Sequence, residues 1–274
     1  MHGLGNDFVV IDAVRQKISV NSLPIAQLAN RYTGIGFDQL LIIEPSSRAN
    51  FLMRIFNSDG SEAEQCGNGL RCVARFLHEE GLHAQSNLSI ETKSGCYEIQ
   101  IKDYSAISIV MGVPCFEPAK IPFKAEQEQK NYTIPLANQS ITATVLALGN
   151  PHALVRVKNL AEKNIDKMGA EMATQAYFPK GTNVGFIEVV DRKHIRLRTI
   201  ERGAGETHAC GSNASAAVVA GIINGWLDNK VRVEYRYGSL EIEWAGAGQP
   251  VKMTGPASRV FTGELDATNS NFMT

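Results

Sequence analysis

Residues 54–82 read RIFNSDGSEAEQCGNGLRCVARFLHEEGL, and residues 196–227 read RLRTIERGAGETHACGSNASAAVVAGIINGWL. Each stretch carries a Cys-Gly step between a polar turn and a helix-like run. The two cysteines, Cys66 and Cys210, stand 144 positions apart. The same offset relates Arg54 to Arg198, Asn57 to Glu201, Gly67 to Gly211 and Gly81 to Gly225. Farther out it relates Asn6 to Asn150 and Gln39 to Asn183. One register held over so long a span predicts a duplicated domain with two related halves.

Working outward, NDFVVID, FDQLLIIE, FLMRIF, LSIET and YEIQI read as short strands, as do IRLRTI, VRVEYR and LEIEW. After Cys66, the apolar residues Leu70, Val73, Ala74 and Leu77 recur at helical spacing, and Gly81 supplies a stop. After Cys210, the run Ala214 to Ile223 is apolar almost all round, so a helix there must be buried on nearly every side. The expected fold is α+β, a mostly β half around one central helix, made twice. Gly and Pro cluster in MGVPCFEP (111–118) and TGPAS (254–258), the expected crossings between halves. This gives domains of 1–112 plus 256–274 and of 113–255. The polar tail DATNSNFMT (266–274) is expected to fray.

The chain has 274 residues, 44% apolar and 20% charged, which fits a globular protein rather than a disordered one. Its 27 Lys plus Arg against 28 Asp plus Glu leave a net charge of −1. That balance argues against nucleic acid or an anionic membrane as the main partner. No apolar run reaches the roughly 18 residues of a membrane span, and MHGLGNDFVVID does not read as a secretory leader. Five cysteines without a Cys-x-x-Cys pair suggest neither a zinc ribbon nor a thioredoxin-type motif, and no metal is expected. The expected compartment is the cytoplasm.

A helix start favours negative charge by up to about 2 kcal/mol. At about 1.36 kcal/mol per pKa unit, a thiol near 8.5 would fall to about 7. Such a thiol loses and regains a proton near neutral pH, and the same N–H groups can hold a carboxylate. In a two-fold pseudo-symmetric protein, equivalent thiols can face one carbon from opposite sides, one removing a proton and the other delivering one. A single cysteine before a helix reads as packing; two at matched positions of a repeat read as function. Cys72, Cys96 and Cys115 have no partner in the repeat and are expected to be structural.

The sequence closely resembles the diaminopimelate epimerase family over almost its whole length. The carriers are MHGLGNDF (1–8), GIGFDQLL (34–41), FNSDGSEAEQCGNGLRC (56–72), GNPH (149–152), GTNVGF (181–186) and ERGAGETHACGS (201–212). The resemblance implies a cofactor-independent isomerase of lysine and peptidoglycan-precursor biosynthesis. Its fold would be two β-barrel-like sheets, each around a helix, with the site between them. It implies that Cys66 and Cys210 are the acid/base pair, Cys66 the donor and Cys210 the acceptor from LL to meso. It implies that Gly67 and Asn68, and Gly211 and Ser212, offer backbone N–H groups to the carboxylate at the reacting centre. Asn6, Gln39, Asn57, Asn150, Asn183, Glu201 and Arg202 would line the substrate, with Arg202 on the distal carboxylate. His152 and Glu201 would tune the thiols. Taken singly, Asn6, Asn150 and Asn183 also suit turns, His152 a satisfied core histidine, and Arg202 a surface ion pair.

Three departures stand out. The chain opens directly at MHGLGND, with a short leading strand. Asn213 stands where the family motif usually has glycine, whereas Gly69 keeps it in the first half. Phe261 stands where a tyrosine often marks the dimer contact; a homodimer is expected. Two other readings stay open: a related isomerase of the same fold on another substrate, and a thiol redox or binding protein.

Overall fold

A computed structural model describes residues 1–20, 23–162 and 164–265; the tail 266–274, expected to fray, lies outside them. The fold is α+β. The chain divides into two compact units, Met1–Ile109 with the segment from Pro256 onward, and Val110–Gly255.

In the first unit, Asn6–Asp12 pairs parallel with Gln39–Pro45, which pairs antiparallel with Phe51–Asn57. The sheet continues through Asn87–Thr92, Gly95–Asp103 and Ala106–Gly112. The helix Gly67–Glu79 packs against His2–Gly3, Asn6–Asp12, Gln39–Pro45 and Gly95–Asp103. Its apolar residues at helical spacing, Leu70, Val73, Ala74 and Leu77, have no solvent exposure. Burying each of the larger ones contributes about 1.5–3 kcal/mol. On another face of the same strands, Ile25, Leu28 and Phe37 cluster with Leu40, Ile42 and Phe56.

The second unit repeats this plan. Asn150–Val157 pairs parallel with Asn183–Asp191, which pairs antiparallel with His194–Glu201. The registers match pair for pair: Phe8↔Gln39 becomes His152↔Asn183, and Leu40↔Phe56 becomes Val184↔Ile200. Beyond the helix the offset drops by one, with Leu88↔Ile99 answered by Val231↔Ile242. The helix Gly211–Ile223 packs against seven strands of its unit, which is why its sequence is apolar all round.

Both helices stop in the same way. Leu82 N–H bonds the Leu77 carbonyl and Gly81 N–H the His78 carbonyl; Trp226 bonds Gly221 and Gly225 bonds Ile222. These are Schellman caps. They need a left-handed residue, and Gly81 and Gly225 supply it with φ of 67° and 76°.

A short helix, Ile165–Ala173, packs on Asn183–Asp191 and His194–Glu201. It and the strands Ser140–Leu148, Asn150–Val157 and Asn183–Asp191 are not among the elements that periodicity predicts. No helix among the described residues is long and apolar enough to cross a membrane.

Candidate functional site

In the first unit, three of the sequence-predicted residues meet at one end of the sheet. Asn6 opens its strand, Gln39 opens the next, and Asn57 closes the antiparallel third, in register with Gln39. Gln39 Nε2 donates to Asn57 Oδ1 at 2.9 Å, and Asn57 Nδ2 to Ser61 Oγ at 3.0 Å. The helix carrying Cys66 as its N-cap begins at the same place. Gly69 N–H donates to Cys66 Sγ at 3.3 Å, and Sγ lies 3.7 Å from Asn6 Oδ1. Asn68 Nδ2 also donates to Asn6 Oδ1, at 3.2 Å, and Asn6 Nδ2 donates to Asp38 Oδ2 at 2.9 Å. Helix geometry aims the first-turn N–H groups of Gly67 and Asn68 out of the helix start.

The second unit builds the same end from Asn150, Asn183 and Glu201, with Cys210 capping its helix. Cys210 Sγ lies 3.4 Å from Ser212 Oγ, and Gly211 and Ser212 occupy the first turn. Asn183 Oδ1 accepts the Arg202 N–H at 2.9 Å, and Glu201 Oε1 accepts from Thr207 Oγ1 at 2.6 Å. The Arg202 guanidinium is exposed and bonds the Lys180 carbonyl at 2.9 Å. His152 is wholly buried between Asn150 and Asn213, with Nε2 2.8 Å from Asn150 Oδ1 and Nδ1 3.1 Å from Asn213 Nδ2.

The electrostatics of Cys210 differ from the helix-start expectation. Burial, with the Glu201 carboxylate adding to it, pushes the thiol well above its ordinary pKa. The partial charge of a helix start is smaller than the loss of water around a thiolate that is 7% exposed. Glu201 thus acts on Cys210, in the direction that keeps it protonated. Burial pulls His152 down to about 3, so the ring is neutral at neutral pH. Cys72 is pushed up to about 12, as expected of a packed thiol.

Gln39 Oε1 is buried and has no hydrogen-bond donor among the described residues. Residues that sequence reasoning leaves unassigned also contribute. Asp38 holds Asn6; the only signal for it is its place beside Gln39 in GIGFDQLL. Arg71 holds Asn68, and Thr199 and Tyr235 join the His152–Asn213 cluster. Phe261 is 67% exposed.

A family model described as diaminopimelate epimerase matches residues 1–116 and 144–260. A diaminopimelate epimerase of Ectopseudomonas mendocina (strain ymp) is 49% identical over 267 residues, covering 97% of each chain. Two solved structures share the fold. A phenazine biosynthesis protein of the PhzF family from Bacillus anthracis superposes with a TM-score of 0.65 at 18% identity, over 93% of this chain and 92% of that one. A hydroxyproline epimerase from Agrobacterium vitis gives 0.66 at 17% identity, over 93% and 87%.

Proposed function

The chain belongs to the diaminopimelate epimerase family, and from that premise we propose that it interconverts LL- and meso-diaminopimelate with Cys66 and Cys210 as its acid/base pair. The observation that carries the thiol assignment is the matched pair of helix-capping cysteines, each standing beside its own unit's strand-end polar cluster. Inverting an α-carbon requires a proton removed from one face and returned to the other, hence two groups. From LL to meso, Cys210 removes the proton as thiolate and Cys66 delivers one as thiol; the reverse reaction exchanges the roles. The substrate-free chain keeps Cys210 protonated, the form from which the reverse direction starts. A bound ammonium beside the thiol supplies the positive charge that favours thiolate.

The N–H groups of Gly67, Asn68, Gly211 and Ser212 hold the carboxylate at the reacting carbon, where enolate-like charge develops. Gln39 Oε1 accepts from an ammonium. Asn6, Asn57, Asn150, Asn183 and Glu201 complete the lining, and Arg202 takes the distal carboxylate as a fork. No cofactor takes part in these steps. We place the enzyme in the cytoplasm, consistent with five cysteines outside any disulfide, and as a homodimer with exposed Phe261 at the contact.

The test is proton exchange. In deuterated water with LL-diaminopimelate, the reduced chain should place deuterium at the inverted α-carbon; no incorporation overturns the activity. Cys66→Ser and Cys210→Ser should each lose nearly all epimerisation, because a hydroxyl is a far weaker acid. Near-full turnover by either variant overturns the two-thiol scheme.

A further inference from the structure

We propose that Asn213 is a positioning residue: it fixes which nitrogen of His152 carries the proton, and so which end of the Asn150 amide is offered to substrate. The substrate half of this rests on the reading of Asn150 given above.

Asn213 Nδ2 can only donate, and it lies 3.1 Å from His152 Nδ1. Nδ1 therefore presents a lone pair, and the ring proton sits on Nε2. Nε2–H then donates to Asn150 Oδ1 at 2.8 Å. With its oxygen engaged, Asn150 has its NH2 left to give, a donor suited to a carboxylate. On its other side, Asn213 Oδ1 accepts from Thr199 Oγ1 at 3.0 Å. Thr199 lies 3.3 Å from the Tyr235 hydroxyl, which donates to the Cys210 carbonyl at 3.0 Å. Asn213, His152 and Thr199 are all without solvent exposure, so the bonds from Asn213 to His152 and Thr199 are shielded from bulk water.

Comparison of the two units shows that the space for Asn213 is built in. A Cβ on Gly185 would lie 2.4 Å from Asn213 Oδ1 and 2.7 Å from Leu154 Cδ1, so only glycine at 185 admits the amide. In the first unit the sizes are exchanged. Leu41 stands at the place of Gly185 and Gly69 at that of Asn213, and a Cβ on Gly69 would lie 3.1 Å from Leu41 Cδ1. Phe8 and Ile55 stand at the places of His152 and Thr199. One copy fills this spot with apolar groups, and the other fills it with a connected polar set. A buried polar set is retained where each member is satisfied and fixes an orientation.

The test reads the tautomer directly. In the full chain with 15N-labelled histidine, His152 is identified by the signal lost in His152→Gln. It should show a protonated Nε2 and a bare Nδ1, unchanged from pH 8 to pH 5; a proton on Nδ1 overturns the proposal. Asn213→Asp keeps the shape and replaces the donor by an acceptor, so the proton should move to Nδ1. The triple variant Leu154→Val/Gly185→Leu/Asn213→Gly copies the packing of the first unit without the hydrogen bond. It should lose the single tautomer and raise KM for diaminopimelate about tenfold, the scale of one net hydrogen bond, with kcat changed less. If both variants keep the wild-type nitrogen pattern and KM, Asn213 positions nothing. A wild-type chain with the Nε2–H tautomer but no epimerisation would overturn the proposed activity while supporting the tautomer assignment, so the two failures are distinct.

Discussion

Arg71 Nη2 donates to Asn68 Oδ1 at 2.8 Å from a position without solvent exposure. The same guanidinium bonds the carbonyls of Pro256 and Gly67, at 3.1 and 3.4 Å. Burial pulls its pKa down to about 10, so it remains charged at neutral pH. Asn68 in turn reaches Asn6, next to Cys66. Arg71→Met keeps the bulk but removes the bonds to Asn68, Gly67 and Pro256, and the loss of the buried one to Asn68 costs about 1–3 kcal/mol. The expected loss is about 2 kcal/mol in urea unfolding monitored by circular dichroism. A loss below about 1 kcal/mol would show that the helix start does not depend on this contact.

His152 gives a pH dependence with a definite sign. Its folded pKa of about 3 lies below the ordinary histidine value, so between the two the unfolded chain binds the extra proton. Stability from this group is fully present above about 6.5 and declines as pH falls toward 3. Between pH 7 and pH 5 the decline should be about 2 kcal/mol. His152→Gln should lack that component when denaturant midpoints are compared at the two pH values, and an unchanged slope would refute the assignment.

Glu201 raises the Cys210 thiol pKa, second to burial. Glu201→Gln should therefore lower it and speed alkylation of Cys210 by iodoacetamide at pH 8. Peptide mass spectrometry follows this site against exposed Cys96 as an internal reference. Slower alkylation in the variant would reverse the sign argued here.

A pair of surface contacts tests how much the duplication still matters energetically. Arg54 donates to Glu62 at 2.8 Å, and their counterparts Arg198 and Glu206 repeat the bond at 2.7 Å. Arg198 also reaches Asp166 and the Leu160 carbonyl. Arg54→Ala should change stability by under about 1 kcal/mol, as partly exposed pairs do, and Arg198→Ala by more. Equal effects in thermal unfolding would count against the role of the added partners.

The repeat was legible because its markers are residues that geometry constrains: a helix-capping cysteine, a glycine past each helix end, and polar residues at strand ends. The same offset pairs Asn6 with Asn150, Gln39 with Asn183 and Asn57 with Glu201, which the fold gathers unit by unit; their place in a substrate site comes from the family resemblance. The strands Ser140–Leu148, Asn150–Val157 and Asn183–Asp191 escaped because consecutive residues such as Ala143–Leu146 and Pro151–Val155 are buried. With helix Gly211–Ile223 packed on all three and Ile165–Ala173 on the third, alternation is lost. The acidity of Cys210 was misjudged for a related reason: sequence shows that a helix begins, not how dry its beginning is. Asn213 was visible only as a glycine replaced. Its partners Thr199 and His152 lie 14 and 61 residues away, a proximity only the fold supplies.

The segment after Pro256 joins the first unit, where Pro256 and Ala257 accept from Arg71 and Arg75 and Ser258 pairs with His2. A chain emerging from the ribosome therefore has all of Val110–Gly255 available to close on itself while its leading 109 residues still wait for their last partners. The part made first is the part finished last.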